Sequence, residues 1–384
     1  MLACSIFKLA QLLGNSRKTG AVSSAPPEVS ASSFADMRQE LSSYLVCLKC
    51  ASSFEIRADR TEDGQIMEGA LRCVGCSEEY PILRGVPRLV SGLVSREQEA
   101  TADAFGYEWT HFSQLEATYE DEFLDWIKPI EKGFFRDKVV LDGGCGKGRH
   151  AALAAAFGAR EVIGIDISDA VDAAFANTRN LPNVHIVQAD IYNLPLKASF
   201  DYAYSIGVLH HLPDPKAGFL SLIRYLKPGG RISAWVYGQE GNGWITHLVS
   251  PIRTVLTSRL PRVLTKALSF CIAVPMQLAL KILYRPVNVR WPAIRGLLFY
   301  NDYLYSISGF SFRENYSTVF DHLVAPTAFY ISREEFAHWF EEAGLLKADI
   351  TWRNRNSWRG TGVTSAPAAE SLRSSAAPIS GVAP

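Results

Sequence analysis

The chain has 384 residues, 48% of them hydrophobic, enough for one large core with one or two small additions. Its 39 basic residues balance 39 acidic ones, which argues against a general nucleic-acid binder and against an acidic solubilising tail. Seven cysteines are few for a disulfide framework and favour a reducing, cytoplasmic setting. Residues 1–13 lack a secretory pattern, and no apolar run reaches the roughly 18 residues of a membrane span.

Residues 1–36 are rich in Ser, Ala and Pro without apolar periodicity and read as a leader. A small module at 37–94 carries CLKC and CVGC. Residues 95–137 connect it to the centre through FGYEWTHF and a helix at 119–130, where Phe123, Trp126 and Ile127 fall at helical spacing. From 138 to 237 strand and helix patterns alternate. VVLDGG, EVIGID, HIVQAD, FDYAYSIG and RISAWVYG read as strands, while RHAALAAAFG, DAVDAAFANTRN and GFLSLIRYLKPGG read as helices. The fold class is therefore α/β, a mostly parallel sheet covered on both faces. Residues 238–330 interrupt the pattern as a largely helical insert after the fifth strand. At 331–364 a helix starts at a capping box of Ser332 and Glu335, presents Phe336, Trp339, Phe340 and Leu345, and leads to the strand ADITW. Residues 365–384 read as a Ser/Ala/Pro-rich tail.

The strongest chemical signal is DGGCGKG, directly after a strand and before a helix. Gly144 and Gly146 allow a tight turn and close ligand approach, and Gly148 allows close helix packing. A nicotinamide site would need a further glycine where Arg149 stands, and the phosphate loop G-x-x-x-x-G-K-[ST] is absent. The acid Asp142 opening the loop also favours a ligand without a pyrophosphate. Asp166 and Asp190 recur at equal spacing after the next two strands. Asp166, followed by Ile167, is placed to accept from ribose hydroxyls; Asp190 is placed to meet an adenine amino group while the Ile191 backbone approaches the ring. Ser205 and Gly207, at the end of the fourth strand, shape the floor of the same site.

With these motifs in hand, residues 138–237 resemble the class I methyltransferase core, especially the small-molecule group that includes ubiquinone and menaquinone biosynthetic enzymes. The resemblance implies a Rossmann-like sheet and S-adenosyl-L-methionine as cofactor. It assigns the DGGCGKG loop to methionine and ribose, the IGID acid to ribose and QADIYNLP to adenine. FDYAYSIGVLHHLPDP and LKPGG match the family's fourth-strand motif and the turn before strand five. As a whole the chain resembles uncharacterised bacterial methyltransferases built from such a module, core and insert.

Cys47, Cys50, Cys73 and Cys76 form two C-x-x-C pairs, which offer four thiolates in the tetrahedral set of a closed structural zinc site. Together with EEYPILRGVPRLV, the module resembles the small zinc-ribbon proteins that activate RNA and protein methyltransferases. The bland reading is a folding staple; the alternative is a docking or domain-orienting role. Cys145 reads as a small side chain in the loop and Cys271 as buried.

Methyl transfer needs in-line approach of an acceptor and management of its proton. His210 and His211 follow the fourth strand, where one could act as base or orient the acceptor, although the pair could equally support its own loop. Tyr107, Glu108 and Trp109 could close over the cofactor or pack between domains. Arg313, Asn315, Asp321 and His322, with Asn354, Asn356 and Arg359, could contact the acceptor or fix loops. From Gly241 to Asn301 the insert has no acid but carries Arg253, Arg259, Arg262, Lys266, Lys281, Arg285, Arg290 and Arg295. Its apolar stretch ALSFCIAVPMQLAL is too short to span a bilayer, and Pro275 is expected to kink or divide it.

The leading expectation is methyl transfer from S-adenosylmethionine to a small-molecule or lipid-like acceptor, in the cytoplasm or at a membrane surface touched through residues 241–300. Nucleic acid is not the expected partner, because no RNA-binding motif accompanies the basic run. The alternative is a protein or RNA methyltransferase that docks its partner through the cysteine module; a third reading is a non-catalytic cofactor-binding protein. Oligomeric state is left open.

Overall fold

The central apolar runs form a parallel sheet because each strand is buried on both faces. In the computed structural model, which describes residues 40–90, 95–116 and 119–365, the elements follow one another as below. The expected leader at 1–36, with Cys4, and all but the first residue of the expected tail at 365–384 lie outside the described residues.

The cysteine module contributes β1 (Phe54–Glu62), β2 (Gln65–Cys73), β3 (Glu79–Leu83) and β4 (Val86–Leu89). Two helices, α1 (Arg96–His111) and α2 (Tyr119–Trp126), precede the core. The core runs β5 (Val139–Gly143), α3 (Arg149–Ala156), β6 (Glu161–Asp166), α4 (Ala170–Thr178), β7 (Val184–Ala189), β8 (Phe200–Ile206), α5 (Pro215–Ile223) and β9 (Leu226–Tyr237). The insert holds α6 (Ser250–Val255), α7 (Arg262–Ala279), α8 (Arg285–Arg290), α9 (Asn301–Ser306) and α10 (Phe312–Val324). The chain then closes with α11 (Arg333–Glu342), β10 (Leu346–Arg353) and β11 (Ser357–Val363).

All strands join one 11-stranded sheet in the order β1-β2-β3-β4-β7-β6-β5-β8-β9-β11-β10. Its centre, β7-β6-β5-β8-β9, is parallel, and β11 pairs antiparallel with both β9 and β10. The order reverses at β5, so the turns after β5, β6 and β8 open on one crevice, where ligands bind in such sheets. This is the Rossmann-like sheet of class I methyltransferases, as the α/β reading expected.

Three features differ from the sequence expectation or were invisible to it. The module is not a detached lobe: β4 pairs in parallel with β7 through Arg88–Gln188 and Leu89–Ala189, and Val46 donates to the Pro195 carbonyl at 2.9 Å. Leu45, Leu71, Ile82 and Leu89 accordingly share one core with Val187, Leu196 and Phe200. Second, the strand β11 was not expected, because SWRGTGV is polar and glycine-rich. Its glycines are packing devices: a Cβ on Gly360 would lie 2.6 and 2.9 Å from the Phe340 and Phe336 rings. Third, Pro275 neither breaks nor ends α7, which contains it; helix continues through a π-turn at Leu280–Tyr284 into α8. The helical segment Arg262–Arg290 is thus long and apolar enough to cross a membrane by length and composition, although the apolar stretch itself is too short. Cys271 is exposed on α7, contrary to the expected burial, because α7 turns much of its apolar surface, including Val263, Leu264 and Leu268, outward.

Substituting Gly360→Val should lower stability by about 1–3 kcal/mol through overpacking against Phe336 and Phe340, read as a lower urea midpoint with unchanged m-value.

Candidate active site

The β5 turn begins at Asp142, whose side chain does not reach the crevice: it is 1% exposed, and Tyr204 Oη donates to its Oδ2 at 3.1 Å. Burial pushes its carboxyl up to about 8, so it supports the loop from behind. Gly144 and Gly146 follow with positive φ of 91° and 51°; a Cβ on Gly144 would sit 2.3 Å from the Val208 side chain. Gly148, at φ 80°, begins α3 where a Cβ would press on Ala174 of α4 at 3.2 Å, the close helix approach that a glycine permits.

Asp166 ends β6 facing the loop. Its Oδ2 accepts from the Gly146 N–H at 2.9 Å and its Oδ1 from the Ser168 hydroxyl at 2.7 Å, which holds loop and acid in register. Beside it lies a slot walled by Ile167, Ile191, Val208 and Leu212 and ending at Asp190. Asp190 accepts from Gln98 Nε2 of α1 at 3.1 Å and from the Tyr192 N–H at 3.0 Å. Flat apolar walls with an acid at the end suit an adenine ring, and the Asp166 carboxylate beside the glycine turn suits ribose. Ser205 is buried and donates to the Gly143 carbonyl at 2.7 Å, whereas Gly207 lines the crevice.

α1 covers the crevice. Trp109 lies against the loop, with its Nε1 3.2 Å from where a Gly146 Cβ would be, and Glu108 is fully buried beside it. Tyr107 instead stacks on His111 and packs on Phe320, away from the crevice wall. The crevice extends under the insert as a cavity of ≈ 200 Å³. Trp126, Trp235, Tyr237, Tyr303 and Tyr330 supply flat faces there, and Glu122, Asp321, His322 and Arg353 the polar groups. Glu122, Trp235, Tyr303 and Arg353 had no motif to mark them; all four reach the cavity only through tertiary packing.

His211 lines the cavity and its Nδ1 lies 2.7 Å from the Thr327 carbonyl, while burial depresses its ring to about 3. His210 sits behind it, against Tyr237 with ring centroids 3.9 Å apart and both nitrogens without a hydrogen bond. Among the remaining candidates, His322 lines the cavity and Asn356 touches it. Arg313 donates to Gln114 and to the His111 carbonyl on the outer face of α10, and Asn315 is buried against Gln277 and the Ile307 carbonyl. Arg359 is held by Asp125 at 2.9 Å near β10, also away from the cavity, and Asn354 does not line it.

The cysteines of the module come together as expected from their spacing. The four Sγ atoms of Cys47, Cys50, Cys73 and Cys76 all lie within 4.8 Å of one another. Backbone N–H groups of Lys49, Gly75 and Cys76 point at Cys47 or Cys73 sulfur at 3.3–3.4 Å, which stabilises thiolates. Four sulfurs at tetrahedral separation fit zinc with Zn–S arms of about 2.3 Å.

The methyltransferase domain family matches residues 141–234, which span β5 to β9. The chain thus carries a class I S-adenosylmethionine-dependent methyltransferase domain, as loop, acids and sheet order together define it. Among curated relatives, the tRNA U34 carboxymethyltransferase of Cellvibrio japonicus is 30% identical over 143 residues, covering 35% of this chain and 44% of that one. The enzyme of the same name from Pseudoalteromonas translucida is 34% identical over 115 residues, covering 29% and 34%. The chain therefore spans less than half the length of these relatives. A solved S-adenosylmethionine-dependent methyltransferase from Mesorhizobium loti is 28% identical, with a TM-score of 0.28 over 30% of this chain and 53% of that one.

These relatives overturn the expectation of a small-molecule or lipid-like acceptor with nucleic acid set aside. The physical reason is that phosphate contacts need only basic residues, so the missing RNA motif was no argument against RNA.

Asp142→Asn should gain stability relative to the parent as pH rises. A carboxyl raised by folding contributes stability below its unfolded value near 4 and loses it as pH climbs to about 8; Asn lacks that loss. Urea unfolding at pH 5 and pH 8 should show the variant's relative gain growing by at least about 1.4 kcal/mol.

Proposed function

We propose that this protein transfers a methyl group from S-adenosylmethionine to RNA. The observation that carries the proposal is the cavity that runs from Asp166 and the glycine loop, next to the slot lined by Asp190, to an aromatic and polar chamber under the insert. One half suits the adenosyl donor; the other has flat faces for stacking a base and buried polar atoms to read its edge. Asp166 and the Gly144 and Gly146 backbone would hold the ribose and methionine portion, and Ile167, Ile191 and Asp190 the adenine. The donor supplies an activated carbon on a sulfonium; the chain orients both partners and excludes water.

The RNA reading is supported by the relatives' names and by the charge of the insert. Arg259, Lys281, Arg285, Arg290 and Arg295 are exposed on a stretch with no acid from Gly241 to Asn301, a surface suited to phosphates. A cytoplasmic setting accords with an RNA acceptor. The cysteine module we assign to structural zinc, which through β4 and β7 would stiffen the strand that ends at Asp190.

Methyl-labelled S-adenosylmethionine incubated with the protein and small cellular RNA should place label in RNA, and absence of label with the wild-type protein would overturn the acceptor class. Calorimetry with S-adenosylhomocysteine should show Asp166→Ala weakening binding about 10-fold or more, the worth of one charge-assisted hydrogen bond. Metal analysis should find one zinc per chain, and Cys47→Ser with Cys50→Ser should remove it and lower Tm; an unchanged Tm in metal-free protein counts against a structural zinc.

A further inference from the structure

We propose that Asp321 is the proton acceptor of the transfer site, and hence that the acceptor group is a hydroxyl or N–H that gives up its proton as it is alkylated. The inference rests on the reading of the cavity as a group-transfer centre.

α10 presents Glu314, Ser317, Thr318, Asp321 and His322 to the cavity, positions three, four and seven residues apart that share one helical face. The core fixes three of them. Glu314 accepts from Tyr119 Oη at 2.5 Å and from Arg149 at 3.3 Å; Ser317 donates to Glu108 at 2.8 Å; Tyr237 Oη donates to Asp321 Oδ2 at 3.2 Å. Asp321 Oδ1 is enclosed and, among the described residues, accepts no hydrogen bond. A carboxyl anchored by one oxygen and unsatisfied at the other, in the chamber beyond the donor loop, has the arrangement of a positioned base.

The competing groups are less suited. Glu108 also has an oxygen without a hydrogen bond among the described residues, but it has no exposed surface, and burial with the Asp321 charge raises its carboxyl well above the ordinary range. Glu122 Oε2 also has no hydrogen bond among the described residues, but it faces the Arg149 guanidinium at 4.0 Å, a fixed cation that holds it as a charge partner. Burial lowers the His211 ring to about 3 and the His322 ring to about 4, which makes both weaker bases than an ordinary imidazole. Asp321 is raised by burial to about 6, against the lowering effect of Tyr237, Arg253 and Arg149; Glu108, Tyr303, Tyr330 and His322 are the other titratable groups facing it. It is ionised at pH 7 and still basic enough to accept.

The step balances. The acceptor's oxygen or nitrogen forms a bond to the methyl carbon as the carbon–sulfur bond breaks, its electron pair passing to sulfur, which becomes a neutral thioether. The acceptor's proton passes to the Asp321 carboxylate and later to water.

The test uses the full chain with Asp321→Asn, Asp321→Glu and Tyr237→Phe, methyl-labelled S-adenosylmethionine and small cellular RNA. The wild-type single-turnover rate should rise with pH through about 6 and level off. Asp321→Asn should fall about 100-fold or more and lose that pH dependence, Asp321→Glu should recover part of the rate, and both should bind S-adenosylhomocysteine within about threefold of wild type. Independently of turnover, carbon-13 carboxyl spectra of aspartate-labelled protein should contain a resonance titrating near 6, absent from Asp321→Asn and moved upward in Tyr237→Phe. Asp321→Asn with the wild-type rate and pH profile, or an Asp321 resonance titrating in the ordinary carboxylate range, overturns the proposal. Wild-type protein that labels no RNA overturns the RNA reading instead, and the carboxyl titration then still decides for or against Asp321.

Discussion

The arrangement of this protein depends on a buried charge cluster that locks the cofactor loop to the insert. Lys147 and Arg149 flank Gly148 at the start of α3, and both reach across to Glu314 of α10, at 3.8 and 3.3 Å. Lys147 is 2% exposed, and its ammonium also donates to the Phe112 carbonyl and to Tyr119 at 2.9 Å. Burial lowers its pKa to about 8. Ions out of water are tolerated only when every partner stays in place; removing one leaves an uncompensated charge and costs about 3–5 kcal/mol. The glycine loop, α1, α2 and α10 are therefore held as a unit, and the acceptor chamber inherits its shape from the loop that would hold the donor. Arg149 also stacks over Tyr119 and Trp126 at 4.9 and 5.3 Å, which extends the unit to the chamber's aromatic wall.

A second constraint acts from the other edge of the sheet. The β4–β7 pairing turns the cysteine module into a continuation of the catalytic sheet, and Arg88 reinforces it by donating to Gln188 at 3.1 Å and to Asp172 at 2.5 Å. Gln188 in turn donates to the Ile167 carbonyl at 3.0 Å, beside Asp166. The four cysteines thus lie at one end of a path of strand pairing and hydrogen bonds whose other end lies beside Asp166. Zinc held by the four cysteines would contribute folding free energy to the module, and the β4–β7 pairing ties that module to the strand that leads into Asp190.

Legibility along the chain followed the range of the interactions concerned. Gly144, Gly146, Asp166 and Asp190 could be found by eye because a glycine turn and strand-end acids are local devices set by a few consecutive residues. The capping box at Ser332 and Glu335 is local too, and Ser332 does accept from the Glu335 N–H at 3.1 Å. β11 was missed because Gly360 and Gly362 depress strand propensity; what makes the strand is the fit of Phe336, Phe340 and Leu345 over a bare backbone, a contact between residues about 20 apart that no propensity contains. Pro275 misled in the opposite direction, since α7 carries it without ending. Arg313 and Asn315 were chosen for their chemistry, but Arg313 is taken up by Gln114 and the His111 carbonyl and Asn315 by Gln277 and the Ile307 carbonyl.

By itself, then, the sequence determined the α/β class, the glycine loop with its strand-end acids and the four-cysteine cluster, each encoded by short spacings that local backbone geometry reads directly. Only the tertiary structure decided the chamber under the insert. Glu108 and Glu122 come from the helices before the core, Tyr237 from the end of β9, Tyr303 and Asp321 from the insert and Arg353 from β10, segments that sheet order and the Glu314 cluster bring to one chamber. Their chemistry follows from enclosure: burial raises the carboxyls and lowers the histidines, and whether a side chain is enclosed depends on the packing of distant segments.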